Sequence, residues 1–203
     1  MLCLSVLAII FYHPVSSAFI IANFHQEALL EHNIKRQLHC VGAMVLNSTL
    51  TQIAQNYSEY LAKNNLFAHS GASGLGENLW AASSSGVIDS VTGTTPTDSW
   101  YSEISMYNYN SPGFSASTGH FTQVIWQSST QLGIGIAWSS DNKSVKVVAN
   151  YYPAGNFAGI FPANVPSLCS SAIANRLIIV GMDSNMYFLI MIIIFNALFR
   201  LFS

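Results

Sequence analysis

Charge is what this 203-residue sequence has least of: 7 Lys and Arg and 9 Asp and Glu make up 8% of it, against about 25% in an average soluble protein. The shortage is not confined to the ends, since residues 19–175 hold five basic and eight acidic side chains. Five scattered cations cannot build the basic patch that phosphate neutralisation demands, so no nucleic-acid partner is expected. Cysteine is scarce too. Of three, Cys3 lies in the apolar N-terminal run, leaving Cys40 and Cys169. One intramolecular disulfide is the most they allow, worth up to about 4 to 5 kcal/mol in the chain-entropy model, and two free thiols are the alternative. A hydrophobic content of 51% argues against disorder, because such a chain can bury enough apolar surface to offset the entropy of ordering.

Long apolar runs occur only at the ends. Residues 2–12 have signal-peptide length and are followed by Ser16-Ser17-Ala18, small residues suited to a cut after Ala18. No Lys or Arg precedes the run, so an uncleaved apolar N-terminus is the alternative. Asn-x-Ser/Thr sequons at Asn47, Asn56 and Asn142 are compatible with glycosylation on a secretory route. Residues 186–199 are apolar except for Asn196, but fourteen residues rise only about 21 Å as a helix, short of the roughly 30 Å hydrocarbon core. The tail reads either as a lipid-anchor signal with attachment at Ser170, in Ser170-Ser171-Ala172, or as a short membrane span. The expected organisation is a signal peptide over 1–18, one domain over 19–169 and an anchoring segment over 170–203.

Between the ends, Leu30, Ile34, Leu38 and Val41 recur at helical spacing and predict a helix over 24–39. Leu50, Ile53, Ala54, Tyr57 and Leu61 predict a second, with Thr49 and Gln52 as a capping box. A third is expected to start near Thr97-Asp98 and a short fourth after Ser117-Thr118. The period then becomes two: residues 132–138 and 145–149 read as antiparallel strands joined by a turn. Residues 81–96, rich in Ser, Gly and Thr, read as a loop. Helices followed by a hairpin indicate an α+β domain.

Glu103 falls beside the apolar stripe of the third helix, where a carboxylate is costly unless paired or bound to a cation. His120 raises the same question beside Phe121, and His69 and Glu77 stand at loop positions after the second helix. Two His and two Glu on four elements could converge on a divalent cation such as zinc. No pair has the local spacing of a metal motif such as His-Glu-x-x-His, so four unrelated polar residues are the competing reading.

The stretch Gly119-His120-Phe121-Thr122-Gln123-Val124-Ile125-Trp126 resembles the signature of the CAP superfamily, which joins cysteine-rich secretory proteins, antigen 5 venom allergens and plant pathogenesis-related class 1 proteins. Asn150-Tyr151-Tyr152-Pro153-Ala154-Gly155-Asn156 is similar to its second signature, Gly76-Glu77-Asn78-Leu79 to its third, and Trp100-Tyr101-Ser102-Glu103-Ile104 to its helix segment. His32-Asn33, with Arg36 and His39, is similar to its opening element. The resemblance implies a three-layer α-β-α sandwich around a central antiparallel sheet, a single SCP domain. It also implies that His69, Glu77, Glu103 and His120 form the family's cavity tetrad, a divalent-cation site. Disulfide-rich members carry a cysteine where this chain has Ala149, and the sparse cysteines are closer to the Golgi-associated branch.

By resemblance, the chain is expected to be extracellular or surface-anchored and to bind a sterol or other lipid, with membrane contact through its C-terminal segment. No catalytic residue is assigned. The competing readings are a metal-dependent hydrolase, in which His residues hold zinc and a Glu serves as base, and a structural surface protein recognised by a partner.

Overall fold

The structure is a computed structural model and describes residues 17–170. The segment expected to be a signal peptide, apart from its last two residues, and the tail beyond Ser170 lie outside the described residues. Helix α1 (Ser17–Leu38) leads through strand β1 (Val45–Leu46) to helix α2 (Ser48–Asn64), strand β2 (Gly76–Ser83) and helix α3 (Thr94–Ser102). A 3-10 turn (Glu103–Met106), helix α4 (Gly119–Val124), strands β3 (Gln131–Trp138) and β4 (Ser144–Tyr152) and a one-turn helix α5 (Phe161–Asn164) follow. The sheet runs β1-β3-β4-β2. Its three long strands are antiparallel, and β1 adds a two-residue parallel pair beside β3.

The alternation of large and small residues in β3 has a steric cause. A Cβ on Gly133 would collide with the backbone of Leu50 and Thr51, and one on Gly135 with Ala54 and Gln55. Helix α2 therefore lies directly on this face, packing Ala54 and Leu61 against Leu79 and Val148. The opposite face carries Ile134, Ile136, Val147 and Tyr151, covered by Trp100, Phe121, Trp126 and Phe24 from α1, α3 and the α4 region. This is the expected α-β-α order of layers. Each large apolar side chain so buried contributes roughly 1.5 to 3 kcal/mol.

Several local expectations change. The N-cap of α2 is Asn47, whose side chain accepts from Thr49 and Leu50 N–H, so the capping box at Thr49 and Gln52 is displaced by a cap two residues earlier. Helix α3 starts at Thr94, and Thr97 sits inside it with its hydroxyl donating to Gly93 O. Glu77 and the first residues of the loop expected over 81–96 belong instead to strand β2, which pairs along its length with β4, and the last residues of that loop belong to α3. The largest change is in α1, where Leu30 and Ile34 face outwards and Phe24, Ala28, His32, Arg36 and His39 are buried. The polar residues prevail because each has built partners. Arg36 donates to the carbonyls of Gly42, Val124, Trp126 and Ser129, and His39 bonds Pro166 O and Tyr101 Oη.

Cys40 and Cys169 form a disulfide with Cα atoms 5.9 Å apart, tying the end of the domain to the end of α1. No helix among the described residues is long and apolar enough to cross a membrane.

Candidate functional site

Trp100 fixes the first half of the site. Its indole N–H donates to Leu79 O on β2 at 2.9 Å, pinning α3 to the sheet. Three residues on, α3 has given way to the 3-10 turn and Glu103 points at the start of α4. One carboxylate oxygen accepts from His120 Nδ1 at 2.7 Å, while the other accepts from the backbone N–H groups of His120 and Phe121 at 3.0 and 3.1 Å. The carboxylate thus meets the unpaired amides of the helix start, where negative charge is favoured. This accounts for its position without a bound cation. The His120 ring stacks on Trp100, centroids 6.4 Å apart.

The second half is built from α2 and β2. Helix α2 ends at Asn65 in the left-handed conformation, and the chain then passes Tyr57, whose hydroxyl donates to Ala68 O at 2.7 Å. That bond sets the next residue, His69, whose Nδ1 lies 2.8 Å from Glu77 Oε1. Ser70 N–H donates to the same oxygen. Burial, helped by the Glu77 charge, raises the Tyr57 hydroxyl above its ordinary pKa and keeps it a donor. Glu77 Oε2 is buried with no partner, and so are both side-chain polar atoms of Asn150, directly across the strand from Glu77.

The four residues therefore stand as two His-Glu pairs. Asn78, next to Glu77, joins them by donating to His120 O at 3.1 Å. It also donates to Tyr151 Oη, which bonds His32 Nε2 at 2.9 Å. His32 is wholly buried, and burial holds it down to about 4, so the ring is neutral with Nδ1–H directed at Ala28 O. Nothing in hydrophobic periodicity marks His32 or Asn78. The family resemblance includes both without giving them a role, and the demand that buried polar groups be paired supplies it.

In both pairs Nδ1 faces the carboxylate, so the lone pair of a neutral ring lies on Nε2, the orientation a carboxylate imposes on metal-binding histidines. Among the described residues, however, no three His, Cys, Asp or Glu side chains converge closely enough to hold an ion. The donor set suits a cation held by imidazole nitrogens and completed by water, with the carboxylates as orienting groups, and does not suit a closed four-ligand shell.

Sequence reasoning missed the apolar rim. Phe114 is 64% and Phe157 56% exposed, and Met106 and Tyr109 are exposed as well. A Cβ on Gly119 would touch the Phe114 ring, and Asn156 donates to Gly119 O, so Phe114 and the segment that carries Phe157 meet the start of α4. Met106 closes the 3-10 turn that Glu103 opens. The remaining candidates lie apart. Asn47 is committed to the α2 cap, Asn56 is exposed on α2, and Asn142 is exposed in the β3–β4 turn. Ser170 is the last described residue and is exposed.

A family model described as the cysteine-rich secretory protein family, CAP, matches residues 29–151. The human Golgi-associated plant pathogenesis-related protein 1 is 44% identical over 148 residues, covering 70% of this chain and 92% of its own. Protein PRY2 of Saccharomyces cerevisiae is 38% identical over 147 residues, covering 72% of this chain but 42% of the yeast protein. Among solved structures, NaASP2 with Zn2+ superposes with a TM-score of 0.56 at 24% identity, covering 70% of this chain and 85% of that one.

Proposed function

The chain belongs to the cysteine-rich secretory protein (CAP) family, and on that premise we propose that it is an extracellular or surface-held module that binds a sterol or other lipid. The observation that carries this reading is the exposed Phe114 ring against Gly119, next to His120, with Met106, Tyr109 and Phe157 exposed on the neighbouring segments. Large apolar side chains gathered on one surface mark a contact site for apolar matter. The His120 Nε2, the ring nitrogen turned away from Glu103, gives a lipid hydroxyl or headgroup a polar partner there.

The disulfide supports an oxidising compartment. The apolar run of residues 2–12 and the tail of residues 186–199 supply entry to the secretory route and attachment to a membrane, through a lipid anchor at Ser170 or a span. Under the same proposal His69 and His120 would hold a divalent cation such as zinc through Nε2, with Glu77 and Glu103 fixing the rings. The ion would supply a positive centre for a ligand oxygen.

Saturable binding of a radiolabelled sterol by the full chain tests the reading. Phe114→Glu should weaken it at least tenfold, a loss of about 1.4 kcal/mol, while Glu59→Gln on the exposed face of α2 should not. Absence of saturable binding with sterol and fatty acid alike would overturn the proposal.

A further inference from the structure

We infer that the outer face of α1 is the surface on which the domain rests against a lipid bilayer. The inference depends on the proposed membrane attachment of the C-terminal segment. Exposed helix positions ordinarily carry charge. In α1 they are Asn23, Gln26, Leu30, Ile34 and Gln37, all uncharged, while Glu27, Glu31 and Lys35 are half-buried and Arg36 is buried. Lys35 is further neutralised by Glu31 and Asp98 at 2.6 Å each. Leu30 is 62% and Ile34 42% exposed, one turn apart on the outermost line. Asn33 exchanges hydrogen bonds with Met44 O and N, which ties the segment of Val45, 61% exposed, to α1.

What covers this face is indicated by where the chain leaves the domain. Cys169 N–H donates to Leu38 O, the last residue of α1, and its side chain is bonded to Cys40. Leu168, exposed, adds an apolar side chain there. Described structure ends at Ser170, the residue proposed for lipid attachment, and residues 171–185 separate it from the apolar run of residues 186–199. Fifteen residues reach at most about 50 Å, whereas a lipid anchor at Ser170 needs no such spacer. Attachment at Ser170 thus keeps the C-terminal end of α1 close to the lipid surface. The face offers that surface apolar side chains and amides without ionic groups, so contact should form on neutral lipid and be insensitive to salt.

The test uses the full chain with its tail, reconstituted into phosphatidylcholine vesicles carrying brominated acyl chains. Leu30→Trp should lose most of its added emission to the bromines, equally at low and high salt. Tyr60→Trp, on α2 across the sheet, should keep its emission. Adding Ile34→Glu to Leu30→Trp should relieve the quenching while the protein still floats with the vesicles. Equal quenching at both positions, or none at Leu30→Trp in vesicle-bound protein, would overturn the inference and leave tail attachment standing. Failure of the full chain to float would overturn both. A dimer in which Leu30→Trp is shielded from the vesicles and Ile34→Glu dissociates the copies would assign the face to a second molecule instead.

Discussion

The two carboxylates of the site should differ sharply when removed. Glu103 accepts three hydrogen bonds, two of them from the first turn of α4, and both its oxygens are used. Glu103→Ala would leave two backbone N–H groups and the His120 Nδ1–H without their acceptor. Hydrogen bonds to a charged group are worth about 1.5 to 3 kcal/mol, and favourable charge at a helix start adds about 0.3 to 1 kcal/mol. Water reaches this partly exposed site and replaces some of the loss, so a destabilisation of about 2 to 4 kcal/mol is expected. Glu77 accepts only from an exposed imidazole and an exposed loop N–H, and its second oxygen is buried unpaired. Removing it relieves an unsatisfied atom, so Glu77→Ala should cost about 1 kcal/mol or less. Urea unfolding of the oxidised proteins, followed by circular dichroism with m compared between variants, measures both. Equal costs, or a larger cost at Glu77, would show that the carboxylates are not divided into a helix-capping group and a group free for ligand chemistry.

Cys40→Ser should lower stability by about 4 to 5 kcal/mol in the chain-entropy model, because the bridge joins positions 129 residues apart; an unchanged melting temperature on reduction would contradict this. Stability should fall with acid. Burial holds His32 down to about 4 and lowers His25 and His39 as well, so the unfolded chain binds protons that the folded one refuses. The stability they supply is complete above pH 6.5 and lost as pH falls towards 4, with His32 contributing on the order of 3 kcal/mol. His32→Gln should flatten that slope in unfolding measurements at pH 7 and pH 4.5, and an unaltered slope would refute the assignment. Calorimetry with Zn2+ should show weak binding that His120→Ala abolishes and Glu59→Gln leaves intact; tight binding that survives loss of His120 would exclude the two-imidazole arrangement.

Helix α2 and the β3–β4 hairpin were legible in the sequence because their apolar periods are regular and the facing side chains are apolar. Helix α1 misled for the opposite reason. Its apolar stripe of Leu30 and Ile34 is the exposed one, and the buried face carries His32, Arg36 and His39, whose cost is met by partners up to 127 residues away. A periodicity argument assigns such groups to solvent, since their acceptors are visible only after folding. Strand β2 escaped because Glu77 and Asn78 are poor strand formers in isolation, and cross-strand pairing with β4 overrides that preference. The motif resemblance pointed to the four residues that the structure pairs as His69-Glu77 and Glu103-His120. It carried no information on which carboxylate oxygens were already taken.

The shortage of charge noted at the outset acquires a meaning from where the few ions sit. Of the basic residues in the domain, Arg36 is buried among carbonyls, Lys146 is buried with its ammonium over the Phe67 ring, and Lys35 is paired. Lys63 and Lys143 remain, and both line one cleft of about 760 Å³ with Glu59 and Asp141. A surface so neutral offers little long-range steering to a charged partner. It presents instead two apolar areas, the rim at Phe114 and Phe157 and the face at Leu30 and Ile34. Helix α1 has a part in both. Its outer side is the uncharged face, and its inner side holds His32, from which hydrogen bonds run through Tyr151 and Asn78 to the backbone of His120. The polar residues that make α1 an unusual core helix thus connect it to the backbone of the site, and by turning inwards they leave its outer face without charged side chains.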